Sequence, residues 1–206
     1  MRIDHYIEHF SECFERQINL LPWEITADIR AILEDIILQL DDNYVINDFI
    51  AIHKSAVVEN AVVLKAPVIV GQGCFIGANA YLRGGVYLGK GSKIGTGCEV
   101  KSSLIFDSTN VAHFNFIGDS IIGCNVNFEA GSITANHYNE RSDKNILVVY
   151  QSEIIESGVG KFGALVGDHS KIGANAVLSP GTILDKYSVV KRLELIDQVD
   201  KFLTDK

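Results

Sequence analysis

Val70-Gly71-Gln72-Gly73-Cys74-Phe75-Ile76-Gly77-Ala78-Asn79-Ala80-Tyr81-Leu82 carries an apolar residue at every sixth position. Working outward, the same phase holds at Ile52, Val58 and Leu64 on one side. On the other it holds at Leu88, Ile94, Val100 and Phe106. Glycine follows the apolar residue at Gly71, Gly77, Gly89 and Gly95, and a small or β-branched residue often stands four places on: Cys74, Ala80, Val86, Ser92 and Cys98. The pattern returns at Val166, Ile172, Leu178 and Leu184. A fixed short period marks a solenoid. Hexapeptides fit a triangular β-helix, in which each repeat supplies one short strand and one turn and three repeats close a coil. The apolar residue points inward, the small one fills the corner, and neighbouring coils pair about 4.8 Å apart.

The register is expected to fail after Phe106, where the apolar series runs Ala112, Ile117, Ile122, Phe128 and Thr134 and loses two residues. The stretch 135–165 interrupts it altogether, with a strand-like run at Ile146-Leu147-Val148-Val149-Tyr150. Solenoids place functional insertions as loops on one face, so these irregularities are where chemistry is expected.

The ends read differently. Ile3, Ile7, Phe10, Phe14 and Leu21 have helical spacing, Pro22 breaks the run, and Thr26 is a candidate N-cap for a second helix through Leu40. Such stripes must pack on the main domain or on a partner subunit. Leu193, Ile196, Val199 and Leu203 suggest a capping helix. The expected division is a helical segment at 1–45, a β-helix at 46–190 with the insertion at 135–165, and a C-terminal helix at 191–206.

Composition narrows the function. With 18 basic and 26 acidic residues, the net charge is -8, which argues against nucleic acid as a partner. The N-terminus lacks a signal-peptide apolar core, and no run approaches a membrane span; a cytoplasmic location is expected. Cys13, Cys74, Cys98 and Cys124 form no CxxC pair. Three of them are expected to be buried thiols at equivalent repeat positions. His5, His9, His53, His113, His137 and His169 show no common ligand spacing, so the sequence requires no metal.

Arg83 and Lys101 lie 18 residues apart, each directly after an inward apolar residue. They should stack at one corner of adjacent coils, where an anion such as phosphate would relieve their repulsion; a salt bridge, for instance to Glu99, is the alternative. His113 comes two hexapeptides after Lys101, which puts it at another corner unless the shortened stretch carries it back or the site is shared between subunits.

Two stretches carry a resemblance: Ala112-His113-Phe114-Asn115-Phe116-Ile117-Gly118-Asp119, and Asn125 to Asn136 with Glu129-Ala130-Gly131 at its centre. With Leu82-Arg83-Gly84-Gly85 and Glu99-Val100-Lys101, they resemble the acetyltransferase domain of the bifunctional N-acetylglucosamine-1-phosphate uridylyltransferase/glucosamine-1-phosphate acetyltransferase family. Lys161 to Asp168 and Pro180-Gly181 resemble its archaeal sugar-phosphate nucleotidylyltransferase/acetyltransferase branch. The resemblance spans roughly residues 70–185 and implies a left-handed parallel β-helix, a homotrimer, and acetyl transfer from acetyl-coenzyme A to an amino sugar phosphate such as glucosamine 1-phosphate. It assigns His113 as general base, since imidazole suits proton removal at neutral pH. It assigns Arg83, Lys101, Phe116 and Asn127 to the substrate, and Ala130, Asn136, His137, Phe162, Ala164 and Pro180 to the cofactor. About 50 helical residues stand where the family has its nucleotidylyltransferase domain, so nucleotidyl transfer is not expected. The family usually has Tyr at the positions of Phe116 and His137, Gly at that of Glu129, and a substrate-binding Lys near Ser142, for which Arg141 or Lys144 are candidate replacements. The alternatives are acylation of a nucleotide sugar or lipid precursor, and a non-catalytic hexapeptide scaffold.

Overall fold

The structure is a computed structural model that describes residues 1–204. The expected all-β domain is present, a parallel β-helix of hexapeptide repeats with helical segments at both ends. Its first face is a sheet of seven strands in coil order, from Val57–Val58 through Phe75–Ile76, Lys93–Ile94, Asn110–Val111, Asn127–Phe128 and Lys171–Ile172 to Val189–Val190. The second face runs through the first halves of Tyr81–Leu88 and Glu99–Ile105, then Phe116–Gly118, Ile133–Thr134, Val177–Leu178 and Leu195–Ile196. The third runs from Ile50–His53 through Val68–Val70 and the second halves of the two long strands to Ile121–Ile122, Ala164–Val166 and Thr182–Leu184.

The interior is the apolar series read from the sequence: Val70, Ile76, Leu82, Leu88, Ile94 and Val100 are fully buried in one cluster. The first of the two lost residues falls earlier than expected, between Val100 and Ile105, and the second falls where expected, between Ile117 and Ile122. Ile105 and Val111 point inward, and Phe106 and Ala112 do not. Lys101 pairs with Arg83, but Ser103 pairs with Val86, so a bulge at Gly84-Gly85 on the earlier strand absorbs the first missing residue. Both glycines have positive φ, 75° and 99°, which glycine adopts without strain. The corner residues Ser92 and Thr109 donate to the carbonyls of Phe106 and Gly123 at 2.8 and 2.6 Å, so their buried hydroxyls are satisfied. Cys74 and Cys98 occupy such corners, with Sγ 2.9 and 2.8 Å from the carbonyls of Gly89 and Ala112. Cys124 does not. It is buried outside the coil, against the N-terminal segment, so two cysteines and not three are in equivalent positions.

The N-terminal segment covers the third face. Ala51, Ile69, Tyr87, Leu104, Ile121, Leu165 and Ile183 form an in-register outward row there. This row packs against Ile3, Ile7, Phe10, Phe14, Trp23, Ile25, Ile29 and Leu33. The expected single helix over 3–21 is instead a 3-10 turn at Ile3–His5, α1 at Phe10–Phe14 and a second 3-10 turn at Glu15–Gln17. The reason lies in the coil. The Asp168 amide donates to the Tyr6 carbonyl, and the Asp168 carboxylate accepts from the amides of Glu8 and Cys124, so residues 6–8 bond to the β-helix instead of continuing a helical ladder. Pro22 starts α2 (Pro22–Ala27) rather than only ending a helix, because proline suits a first helical position. Thr26 is buried within α2 and donates to Trp23, and the cap of α3 (Ile29–Ile37) is Asp28, so the expected Thr26 cap is not formed.

The insertion forms an antiparallel hairpin, Leu147–Tyr150 with Glu153–Glu156. The expected C-terminal helix is shorter than 191–206. Leu195–Ile196 still closes the last coil, α4 covers Gln198–Thr204, and residues 205 and 206 lie outside the described residues.

Candidate functional site

Arg83 and Lys101 stand in register on adjacent coils at the edge between the second and third faces. Each has a carboxylate. The Arg83 guanidinium holds Glu99 Oε1 at 2.7 Å, and Lys101 Nζ holds Asp119 Oδ2 at 2.5 Å. Asp119 is buried, and the Asn136 amide donates to the same oxygen at 2.5 Å. Asn136 Oδ1 is 3.1 Å from His137 Nδ1. Gly118 permits this packing: a Cβ there would lie 2.7 Å from the Phe116 ring and 2.8 Å from Asn136 Nδ2. Lys101, Phe116 and the consecutive pair Asn136 and His137, assigned on three separate stretches, are thus brought together around Asp119, which sequence reasoning passed over. The missed signal was its place 18 residues after Lys101.

His113 lies elsewhere. Strand pairing makes Val111 the coil equivalent of Ile94, which puts His113 opposite Thr96, at the edge between the first and second faces. The shortened stretch does not carry it back. Five residues of chain separate that position from Lys101, about 16 Å at 3.2–3.4 Å per residue. His113 is exposed, sits in a bend just before Phe114, which is in the left-handed region (φ 56°), and lines a cleft of about 350 Å³ with Asn127 and Lys93. Ala130 belongs to this corner, one coil on: the Gly131 amide donates to the His113 carbonyl at 3.0 Å. Glu129, unexplained in the sequence, accepts from both nitrogens of the Arg192 fork at 2.7 and 2.6 Å and from the Ala174 amide. Those bonds hold its carboxyl below the usual range.

Besides Asn136, three more residues assigned to the cofactor are buried in the chain. Phe162 packs edge-on against Trp23, ring centroids 5.8 Å apart, because α2 covers the third face. Ala164 points into the β-helix interior. Pro180 lies under the insertion, its carbonyl accepting from the Tyr138 hydroxyl. The expectation that Phe162 and Ala164 line an open groove is not met. Arg141 stacks on the Tyr138 ring at 3.5 Å and faces Asp200. Lys144 Nζ is held by the carbonyls of Tyr138 and Asn139 and stands in a second cleft of about 560 Å³. That cleft lies between α2, α3, the Gly84–Ser102 corner, Asp119, His137 and the end of the insertion.

Among the described residues, no cluster of His, Cys, Asp and Glu is arranged to hold a metal ion. Among the described residues, no helix is long and apolar enough to cross a membrane.

A β-helix of stacked hexapeptides with polar corners defines the class: a hexapeptide-repeat protein. Within that class, the GMPPB C-terminal domain family matches residues 65–138. The chain is 38% identical over 100 residues to the bifunctional protein GlmU of Methanococcus maripaludis, covering 48% of this chain and 24% of that protein. It is 36% identical over 90 residues to the bifunctional sugar-1-phosphate nucleotidylyltransferase/acetyltransferase of Sulfurisphaera tokodaii, covering 44% and 22%. The chain thus matches about a quarter of the length of these relatives. The resemblance read from the sequence holds at this level. A hexapeptide transferase family protein from Anaplasma phagocytophilum is similar at 17% identity over 72% of this chain and 83% of that one, with a TM-score of 0.33.

Proposed function

We propose that this protein is an acyltransferase that moves an acetyl group from acetyl-coenzyme A to the amino group of an amino sugar phosphate. The observation that carries the reading is the arrangement of the second face. Arg83 and Lys101 stack at one edge, Phe116 stands on the face, and the exposed imidazole of His113 stands at the other edge. In the reaction the acceptor nitrogen attacks the thioester carbonyl and gives its proton to His113. The new N–C bond forms, the C–S bond breaks, the His113 imidazolium returns the proton to the departing sulfur, and coenzyme A leaves as the thiol. Arg83 and Lys101 anchor the acceptor phosphate, with Glu99 and Asp119 holding their side chains extended until it arrives.

The separation of His113 from Lys101 across the face favours a site shared between subunits of a homotrimer. The third face is already covered by the chain's own helices. The second face, which also takes in the short strand Val63–Leu64, carries a mostly apolar outward row broken by Glu99, with Val63, Ile133 and Leu195 exposed, the kind of surface that closed symmetry buries.

The test is a panel of acceptors with acetyl-coenzyme A, with free thiol as the readout. Glucosamine 1-phosphate and related amino sugar phosphates should be acetylated in strong preference to the unphosphorylated sugars. Lys101→Ala should lower kcat/KM for the acceptor about tenfold or more, the worth of one charge-assisted bond. Equal use of phosphorylated and unphosphorylated sugars would contradict the assignment of Arg83 and Lys101.

A further inference from the structure

The cleft between the N-terminal helices and the insertion is a second place where charge is concentrated. Arg30 enters from α3, and Lys144 and Lys161 enter from the two ends of the insertion. All three are exposed, and among the described residues none is paired with a carboxylate. Lys144 has two carbonyl partners, which fix its position without cancelling its charge. One carboxylate lines the cleft, that of Asp119, and it is occupied by Lys101 and Asn136. The carboxylates of Glu24 and Asp28, in the same helices, do not line it.

Three cations converging without a counter-charge repel one another, and they do so in a chain with 26 acidic against 18 basic residues. The rest of the protein does not draw anions in, so an anion held here must be held by these side chains. The walls add shape. Ile29, Ala27 and Val159 give an apolar side, and Gly84 and Gly160 let backbone approach closely. A volume of about 560 Å³ falls within the range of small-molecule sites.

We infer that this cleft binds a phosphate-bearing small molecule through Arg30, Lys144 and Lys161, at a site separate from the Arg83–Lys101 pair. Cations free of carboxylates are the better anion hosts, because a ligand need not displace a partner to reach them. The N-terminal helices, which have no counterpart in the resemblance, thereby form one wall of a ligand site as well as covering the third face. This inference does not depend on acetyl transfer.

The test is calorimetric titration of the full chain with inorganic pyrophosphate, with glucosamine 1-phosphate and with glucosamine, in the absence of coenzyme A. A phosphorylated probe should bind with a dissociation constant below about 1 mM, more weakly as salt rises, and glucosamine should not bind. Arg30→Gln, Lys144→Gln and Lys161→Gln should each weaken binding about tenfold. Lys54→Gln, an exposed cation outside the cleft, should leave it unchanged. These side chains are exposed, and circular dichroism of each variant confirms that the fold is kept. Lack of binding by either phosphorylated probe overturns the inference. So does loss of binding in Arg83→Gln with no loss in Lys144→Gln and Lys161→Gln. Turnover without binding in the cleft would sink this inference and leave the proposed activity standing; binding without turnover would do the reverse.

Discussion

Lys101 Nζ and Asp119 Oδ2 lie 2.5 Å apart on neighbouring coils, with side chains only 14% and 10% exposed. Removing one charge of a buried pair leaves the other uncompensated, which costs about 3–5 kcal/mol. Asp119→Ala should therefore destabilise the fold by about 3 kcal/mol or more in urea unfolding. A change under about 1 kcal/mol, the range of surface pairs, would mean that the pair is solvated.

Phe14 joins the N-terminal segment to the third face, with ring centroids 5.1 Å from Tyr87 and 5.7 Å from Phe106. It is fully buried. Phe14→Ala should cost about 3–5 kcal/mol, as large-to-small core changes of this kind do. Hydrogen exchange should show residues 3–37 losing protection first, since the coil interior is a separate cluster.

The thiols test the placement of the cysteines. Burial pushes the Cys74 thiol up to about 11 and the Cys124 thiol up to about 12, and raises Cys98 as well. Cys13 is exposed, though partial burial of its sulfur raises it too. A thiol reagent at pH 8 should label Cys13 slowly and the other three only after denaturation, because the thiolate is the reacting form. Prompt native-state labelling of Cys124 would show that the N-terminal segment does not cover it.

The Glu129–Arg192 fork gives a pH dependence of defined sign. The Glu129 carboxyl is held below its usual value by the hydrogen bonds from Arg192 and then from the Ala174 amide. A depressed carboxyl contributes stability above its unfolded pKa and loses it as pH falls through the folded value. The fork should thus persist from neutral pH down through about 4.3, the ordinary Glu value, and open only below that. A carbon-13 titration of Glu129 should give a midpoint below the ordinary value in the wild type and a higher one in Arg192→Ala, where the Ala174 amide still holds the carboxylate.

The inward series was legible because a narrow interior demands an apolar residue at every side of every coil. One of the two five-residue steps, Ile117 to Ile122, was placed correctly; the other was put after Ala112 instead of after Val100 because Ile105 and Phe106 are both apolar, as are Val111 and Ala112, and periodicity alone does not rank them. Phe106 faces outward because Phe10 and Phe14 are there to cover it. The location of the N-terminal helices also had an unused signal. On the third face the residue before each inward one is apolar, as in Ile69-Val70, Tyr87-Leu88, Leu104-Ile105 and Ile121-Ile122. On the first face the matching positions include Lys93, Asn110, Asn127 and Lys171. The stacking of Arg83 on Lys101 followed from spacing. The salt bridge to Glu99, named as the alternative, is the one Arg83 makes; the Asp119 partner of Lys101, the burial of Phe162 beneath Trp23, and the meeting of Arg30 with Lys144 and Lys161 depend on tertiary packing that no repeat encodes.

The central claim is that His113 removes a proton in acetyl transfer. It is tested most directly by comparing wild type and His113→Ala on an amino sugar 1-phosphate, with coenzyme A affinity measured in parallel. The account predicts turnover by the wild type, a fall of about 10²–10⁴-fold in kcat for the variant, and little change in coenzyme A binding. Wild-type turnover in His113→Ala, on an acceptor that the native protein acetylates, would contradict it.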